Sequence, residues 1–488
     1  MIQGIRKIIF GPDVNPKFKI PLSVKIEFTV GNFGFNLSAG IMAAWLMNFY
    51  IKIIKIHPFA WSLAWLLYFV WNSINDPIVG YLSDKTRTKY GRRIPWLMAS
   101  IPLLFVGFIL LFYPPQLDPS IEVNQWFLFF WLFLTLMIYD TAYTIFGLCA
   151  GALISELSIE PEERAHLNLY GVIGVALAVG ITFVVPFLFI INADPYEQNL
   201  PIIQTIVLIF GIIGAICMAI MTFGIKERKE FCFAEDEMEK MKFFDSIKYT
   251  IKNKPFLIFT AFFFMITYIQ LAMYSQISFF IQDVLEIKGN DIFTSAPILF
   301  FVGASLLGFP LGILLNQKYG GKRACIYCSL LVIIGLIILT FSNNIIMANS
   351  SLFIVGLGYS ATTILIPVLI CDIIDKDELE TGHRREGAYF GTLALFTKPA
   401  QSVAAAITGL VLFFTGYNES SIKQTELAKF GIKLNIGFIP ALFLLIGIII
   451  LSFFPIDGSK PEYKKWKKEI EMLHDQKLEA LRKACGDD

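Results

Sequence analysis

A succession of long apolar stretches is the feature that most constrains the fold of this chain. Twelve of them follow one another, at about residues 24–51, 58–83, 94–113, 125–155, 166–192, 201–225, 254–282, 292–316, 324–345, 347–373, 387–416 and 431–455. A helix needs about 20 apolar residues to cross about 30 Å of hydrocarbon, whereas the strands of a membrane β-barrel alternate polar and apolar residues over shorter stretches. The sequence therefore predicts an all-α polytopic membrane protein with twelve transmembrane helices.

The composition supports this prediction. Hydrophobic residues make up 56% of the chain and charged residues 16%, whereas soluble proteins carry roughly a quarter charged residues. A soluble protein this apolar exposes patches large enough to aggregate, so lipid is the expected solvent. The net charge of +1 and the lack of a basic stripe argue against a nucleic-acid partner.

The basic residues indicate how the helices are oriented. Lys and Arg concentrate in the N-terminal segment, in the loops after even-numbered stretches and in the tail. Because cytoplasmic loops carry the excess of positive charge, both termini are expected in the cytoplasm, with the protein in the cell (plasma) membrane. The longest internal hydrophilic stretch then divides the chain into these segments: N-terminal segment 1–23, six-helix bundle 24–225, central loop 226–253, six-helix bundle 254–455 and tail 456–488.

An internal repeat relates the two sets of six stretches. After the second stretch the chain reads GYLSD at 80–84 and YGRR at 90–93; after the eighth it reads GILLN at 312–316 and YGGKR at 319–323. Two pseudo-symmetric six-helix bundles that rock about a central site are the architecture of major facilitator transporters. Charged contacts at these loops are expected to bias the conformational states. The predicted gating residues are Gly80, Asp84, Arg92 and Arg93.

Three charged residues interrupt the apolar stretches: Asp76, Asp140 and Lys398. A charge at the centre of a membrane helix costs about 2.5–3.5 kcal/mol on insertion scales, so such residues are functional candidates by default. A buried structural ion pair is the alternative.

The two aspartates lie among other oxygen-bearing side chains. Helical spacing places Asn72, Asn75 and Asp76 on one face of the second stretch, and the same spacing recurs in the fourth. These oxygens suit a small hard cation such as sodium, or Asp76 alone carries a proton. The predicted cation-binding residues are Asp76, Asn72, Asn75, Asp140, Tyr143 and Thr144. Sodium is the one metal expected, and no cofactor is.

Lys398 is the predicted coupling residue. It precedes Pro399, whose missing N–H loosens the helix, and its ammonium group is expected to face Asp76 across a cavity in the empty carrier. Polar side chains on the first and seventh stretches are candidates for binding the substrate, although polar residues also hold membrane helices together. The predicted substrate-binding and coupling residues are Lys398, Asn36, Gln270 and Tyr274.

The segment NSINDPIVG at 72–80, with DKTRTKYGRRIPW at 84–96, resembles the glycoside–pentoside–hexuronide:cation symporter family, which includes melibiose permease. The resemblance extends over about residues 24–455 and implies symport with sodium, lithium or protons. It implies that Asp76 is the cation carboxylate, that Asn75, Tyr143 and Thr144 line the cation site, and that Lys398 couples cation and substrate.

The sequence departs from that family where the substrate is bound. Asn72 stands where melibiose permease has a second cation-site aspartate, and Asn36 where it has a sugar-binding aspartate. Gly147, Gly151 and Val172 replace further sugar ligands. A related branch, the animal lysophosphatidylcholine symporters, keeps the cation site and the lysine but carries an amphiphilic lipid, and these small and apolar replacements suit such a cargo.

The sequence thus predicts a secondary active transporter rather than an enzyme: cation-coupled symport of a small organic solute, by a monomer. A sugar or glycoside is the expected solute, and a lysophospholipid or other amphiphile is the alternative. A non-transporting membrane receptor on a transporter fold is the alternative from another class.

Overall fold

Long α-helices make up nearly all of the described chain. The computed structural model describes residues 19–86, 88–157, 161–190, 200–226, 249–287, 296–381, 386–419, 421 and 423–484. These residues contain no β-strand, and one isolated bridge joins Thr88 and Gly91. The predicted all-α class is confirmed.

The helices follow the apolar stretches of the sequence. In the first half they are α1 (Leu22–Asn48), α2 (Pro58–Lys85), α3 (Ile94–Phe112), α4 (Glu122–Leu157), α5 (Pro161–Ile190) and α6 (Leu200–Gly224). In the second half they are α7 (Lys254–Phe279), α8 (Ala296–Tyr319), α9 (Gly321–Phe341), α10 (Ile345–Thr363), α11 (Ile366–Thr381), α12 (Glu386–Thr397), α13 (Pro399–Phe414), α14 (Glu426–Lys433) and α15 (Ile439–Ser452), with α16 (Pro461–Ala484) in the tail. Short π-helical turns extend α1 at Phe49–Ile53, α7 at Phe280–Val284 and α14 at Leu434–Phe438.

Every predicted span falls on one of these helices or on two consecutive ones. Within the described residues, nine helical segments are long and apolar enough to cross a membrane. The helices α1, α2 and α5 are not among these nine. Two spans are interrupted near a proline: α11 begins one residue before Pro367, and α13 begins at Pro399, directly after Lys398. Because proline has no N–H to donate to the carbonyl four residues earlier and its ring clashes with that carbonyl, a break just before each proline is expected.

Contacts divide the chain into two compact units. Unit 1 comprises Met1–Lys240, Leu271–Ser295 and Gln401–Ile432; unit 2 comprises Met241–Gln270, Ala296–Ala400 and Lys433–Asp488. Unit 1 therefore contains the first six helices together with segments from the second half of the sequence. The division into bundles 24–225 and 254–455 is a division of the sequence repeat and stays a prediction.

Glycines allow close helix packing inside each unit. In unit 1, α1 packs on α5 and α6, and a Cβ atom on Gly174 would lie 2.3 Å from the carbonyl oxygen of Thr29. In unit 2, α10 packs on α8 and α9, and a Cβ on Gly312 would lie 2.5 Å from the carbonyl oxygen of Ala361. Small residues at such crossings are the usual device by which membrane helices approach each other, since lipid supplies no hydrophobic drive between them.

Candidate functional site

The polar face of α2 is buried within unit 1. Asn72 and Asn75 are 2% exposed and Asp76 is 8% exposed, and α2 packs against α4. The spacing of these residues places them on the same side of the helix. The polar face of α2 that was predicted from the sequence is thus covered by protein in the structure.

α4 presents Asp140 and Thr144 to this face. The side-chain amide of Asn75 donates to Asp140 Oδ2 at 2.9 Å and to Thr144 Oγ1 at 3.1 Å. The Thr144 hydroxyl in turn donates to Asp76 Oδ1 at 3.0 Å. Asp140 is 6% exposed and Thr144 is 2% exposed. One chain of hydrogen bonds therefore links the two buried carboxylates through an amide and a hydroxyl.

This arrangement has the chemistry of a site for a small hard cation. The donors that bridge Asp76 and Asp140 are the side-chain amide of Asn75 and the hydroxyl of Thr144, and both are neutral. Carboxylate, amide and hydroxyl oxygens are the ligands that hard cations prefer. The facing sides of α2 and α4 therefore bring together the kinds of oxygen that a monovalent hard cation would need.

Tyr68 is a member of this cluster that the sequence analysis missed. It is 2% exposed, and its hydroxyl lies within hydrogen-bonding reach of Asp140. Tyr68 precedes Asn72 by one helical turn, so the i, i+4 pattern that led to Asn72 and Asp76 would have found it if extended toward the start of α2.

Tyr143 stands beside the cluster on an aromatic stack. Its ring centroid lies 4.3 Å from that of Phe35 on α1, and Phe35 also stacks on Phe146 at 4.9 Å. Such contacts contribute beyond the area they bury. They hold the ring of Tyr143 against α1.

The predicted substrate residues are partly exposed. The side-chain amide of Asn36 donates to the Asn32 carbonyl oxygen at 2.9 Å. Gln270 and Tyr274 are partly buried on α7, one turn apart, and Lys398 is partly buried at the break between α12 and α13. That Lys398 faces Asp76 stays a prediction.

The positions that depart from the sugar symporters leave space. A Cβ on Gly147 would meet only the ring of Phe35, at 3.3 Å, and a Cβ on Gly151 would meet nothing within 4 Å. Val172 on α5 is 60% exposed. Neither Gly151 nor Val172 is covered by protein within the described chain.

The predicted gating residues surround the end of α2. Arg92 and Arg93 are each 8% exposed, and Arg93 Nη1 donates to Ser83 Oγ at 2.7 Å. A Cβ on Gly80 would meet nothing within 4 Å. The side chain of Asp84 lies outside the described residues, so its gating role stays a prediction.

Long apolar helices with two buried carboxylates inside unit 1 are features of a secondary transporter of the major facilitator type. A family model described as "MFS/sugar transport protein" matches residues 27–458. The chain belongs to this family. The narrower resemblance to melibiose permease and its relatives stays a prediction.

Two relatives align with most of the chain. The sphingosine-1-phosphate transporter MFSD2B of Xenopus tropicalis is 26% identical over 470 residues, covering 90% of this chain and 89% of the relative. The sodium-dependent lysophosphatidylcholine symporter 1 of Mus musculus is 24% identical over 503 residues, covering 97% and 92%. A crystal structure of a bacterial homolog of the human lysosomal transporter Spinster, inward-facing and unoccupied, aligns with a TM-score of 0.62 at 14% identity, covering 88% of this chain and 95% of that one. At that identity the solved structure shows the fold alone.

Proposed function

We propose that this protein is a sodium-coupled symporter of a lysophospholipid or a similar single-chain amphiphile. The observation that carries the cation half of the proposal is the hydrogen-bonded link between Asp76 and Asp140 through Thr144 and Asn75. Two buried carboxylates linked through Asn75 and Thr144 suit a bound monovalent cation better than a single titrating proton, because sodium can be held by oxygens from both helices at once. The relative named as a sodium-dependent symporter supports the same ion.

The proposal of an amphiphilic cargo rests on the missing sugar ligands and on the cargoes for which the relatives are named. The polar sugar ligands of the melibiose permease type are replaced here by Gly147, Gly151 and Val172, and the last two are open. An apolar chain needs such a surface, whereas a sugar needs hydrogen-bonding groups to replace its water. The relatives are named as carriers of lysophosphatidylcholine and sphingosine-1-phosphate, both amphiphiles. These points favour the amphiphile over the sugar first expected.

The proposed transport cycle uses the site as a coupling device. Sodium binding neutralises charge between α2 and α4, and Lys398 responds to the occupied site and to the cargo headgroup. Arg92, Arg93 and Asp84 act at the cytoplasmic end of α2, with both termini cytoplasmic and the protein in the cell membrane. Alternation of two six-helix halves, 24–225 and 254–455, delivers the cargo.

Uptake by purified protein in liposomes tests this function. We expect labelled lysophosphatidylcholine to accumulate when an inward sodium gradient is imposed, and not when a proton gradient of equal size replaces it. Sphingosine-1-phosphate and melibiose serve as comparison solutes. Accumulation of melibiose but not of lysophosphatidylcholine would support a sugar as the cargo instead. Specific binding without counterflow of any solute would point instead to a receptor.

A further inference from the structure

The first helices of the two sequence halves end in the same unusual way. The π-helical turn Phe49–Ile53 extends α1, and the π-helical turn Phe280–Val284 extends α7. The backbone N–H of Ile54 donates to the Phe49 carbonyl at 3.0 Å, and that of Leu285 donates to the Phe280 carbonyl at 3.0 Å. Each π-turn is followed, two residues on, by a non-glycine residue at positive φ: one at 60° and one at 52°. π-turns are rare and frequently lie at functional sites.

The two π-turns contact each other within unit 1 through equivalent positions. The fourth residue of the first turn is Lys52 and the fourth residue of the second is Asp283; Lys52 Nζ lies 2.7 Å from Asp283 Oδ2. Lys52 also donates to Gln282 Oε1 at 2.8 Å. One residue before the first turn, Asn48 Nδ2 donates to Ser278 Oγ at 2.6 Å. Repeat-related positions have thus acquired opposite charges that pair with each other.

The contact is nearly sealed from solvent. The side chains of Lys52 and Asp283 are 8% and 11% exposed, and Asn48 and Ser278 are 0% and 1% exposed. The Tyr417 hydroxyl donates to Asp283 Oδ2 at 3.2 Å, and Lys52 stands 4.8 Å from the ring centroid of Phe279. The charged groups of Lys52 and Asp283 have therefore lost most of their hydration.

The same cluster is incompletely satisfied. Asn48 Oδ1, Gln276 Oε1 and Gln282 Nε2 are buried and find no hydrogen-bond partner among the described residues. Buried polar atoms usually find their hydrogen-bond partners in the protein or in ordered water. The contact thus combines a buried ion pair with polar atoms that take no hydrogen-bond partner from the described protein.

We propose that the paired π-turns form a lock at the C-terminal ends of α1 and α7, and that the lock must open in each transport cycle. Alternating access requires some contact between the sequence halves to break at one mouth of the carrier. A permanent buried ion pair gives little stability over an apolar contact. A switch explains why charge is kept here, on turns whose geometry is already irregular.

Thiol labelling tests the lock without any cargo, so its outcome does not depend on the proposed function. Ser278→Cys places a thiol inside the contact. We expect a membrane-impermeant maleimide to modify it slowly, and at least ten-fold faster when Lys52→Met removes the ion pair. The matched control is Lys429→Gln, which removes the neighbouring but more exposed pair of Lys429 with Glu286 and should leave the rate unchanged. An equal rate with and without Lys52 would overturn the proposal.

Buried Cys149 of the same unit reports unfolding in that experiment. Were Cys149 modified as fast as the introduced thiol, Lys52→Met would have loosened the unit and the lock would be refuted. Cross-linking gives the second test. A disulfide between Asn48→Cys and Ser278→Cys should stop sodium-driven or exchange transport, and a reducing agent should restore it. Full turnover with the disulfide intact would also overturn the lock, whichever solute is carried.

Discussion

Asp76 is the residue on which coupling depends most directly. It is buried, accepts from Thr144 and lies on the α2 face that also carries Asn72 and Asn75. Asp76→Asn keeps the size of the side chain and removes the charge that would hold sodium. We expect concentrative uptake to fall at least ten-fold, while downhill exchange of the cargo is partly retained.

Uptake and exchange in the same liposomes check this prediction. Asp118→Asn is the control and should leave both activities unchanged. Asp118 is an exposed loop aspartate whose Oδ1 accepts hydrogen bonds from the backbone N–H and the hydroxyl of Ser120. Undiminished concentrative uptake by Asp76→Asn would remove Asp76 from coupling.

Asp140 is predicted to be the second carboxylate of the cation site. The sequence comparison with melibiose permease leaves Asn72 in place of a second aspartate, and Asp140 approaches the same cluster from α4 through Asn75. Asp140→Asn should weaken sodium binding at least ten-fold, or about 1.4 kcal/mol. Adding Asn72→Asp to that variant should recover part of the loss, because it returns a carboxylate to the buried face. Sodium-dependent thermal stabilisation measures both, and unchanged sodium binding by Asp140→Asn would contradict the assignment.

Periodicity predicted the polar residues of α2 and α4 as one candidate site, but it missed Tyr68 and could not predict how the two helices pair their side chains. Asn72, Asn75 and Asp76 could be grouped because helix geometry fixes which residues share a face. That Asp140 and Thr144 meet that face depends on how α4 is rotated against α2, which packing decides. The pairing of Lys52 with Asp283 was missed altogether, since it joins residues far apart in sequence.

Helix α8 provides a matched pair of glycines for testing packing. A Cβ on Gly312 would lie 2.5 Å from the Ala361 carbonyl oxygen, whereas one on Gly303 would meet nothing within 4 Å. Overpacking of this kind costs about 1–3 kcal/mol, so Gly312→Ala should lower the thermal midpoint. Gly303→Ala should leave it unchanged or raise it, because alanine favours the helix. Equal midpoints for the two variants would mean that α8 and α10 do not pack as described.

Two side chains of the tail helix α16, Tyr463 and Lys467, bind acidic residues of α11. The Tyr463 hydroxyl lies 3.0 Å and 3.1 Å from the oxygens of Asp372, and Lys467 Nζ lies 2.9 Å from Asp372 and 2.8 Å from Asp375. Ile470 is 2% exposed one turn further along. The sequence predicted the tail as a cytoplasmic segment, but its acidic partners on α11 could not be chosen from local pattern.

Lys467→Met should loosen this attachment by roughly 1–3 kcal/mol, because two buried carboxylates lose a charged donor. Amide hydrogen exchange over residues 461–470 measures the change, and Lys468→Met, at an exposed neighbouring position, is the control. Equal exchange in the two variants would show that Lys467 does not hold the tail.

The same attachment has a predictable dependence on pH. Burial lowers the pKa of Lys467, but the carboxylates of Asp372 and Asp375 outweigh it, so the pKa is raised above its usual value of 10.5. For a lysine with a raised pKa, the stabilisation is complete below about pH 10.5 and is lost as the pH rises through the folded value. Exchange in the parent protein should therefore show no loss of the lysine contribution between pH 7 and 9. Loss of attachment within that range would contradict the ion pair.

At the scale of the whole molecule, the apolar stretches determined the element order well. Span lengths follow from bilayer thickness, and all predicted spans fall on helices. The contact units could not be predicted in the same way, because segments 271–295 and 401–432 join unit 1 through distant contacts. The cargo was also harder to predict than the fold. The sequence shows Gly151 and Val172 at positions where sugar ligands are expected, but small or apolar residues at these positions do not identify the molecule that binds there.

If sodium and an amphiphile are carried together, their binding must be linked. Whatever factor sodium contributes to lysophosphatidylcholine affinity, lysophosphatidylcholine must contribute to sodium affinity, and such factors are roughly 5–150-fold. We expect titration of purified protein to show equal and favourable factors in both directions. Asp76→Asn should bring both to one, because the shared carboxylate is the group through which the bound ion acts. If each ligand left the other's affinity unchanged in the parent protein, the two would not share a cycle, and sodium coupling would have to be abandoned even if both were found to bind.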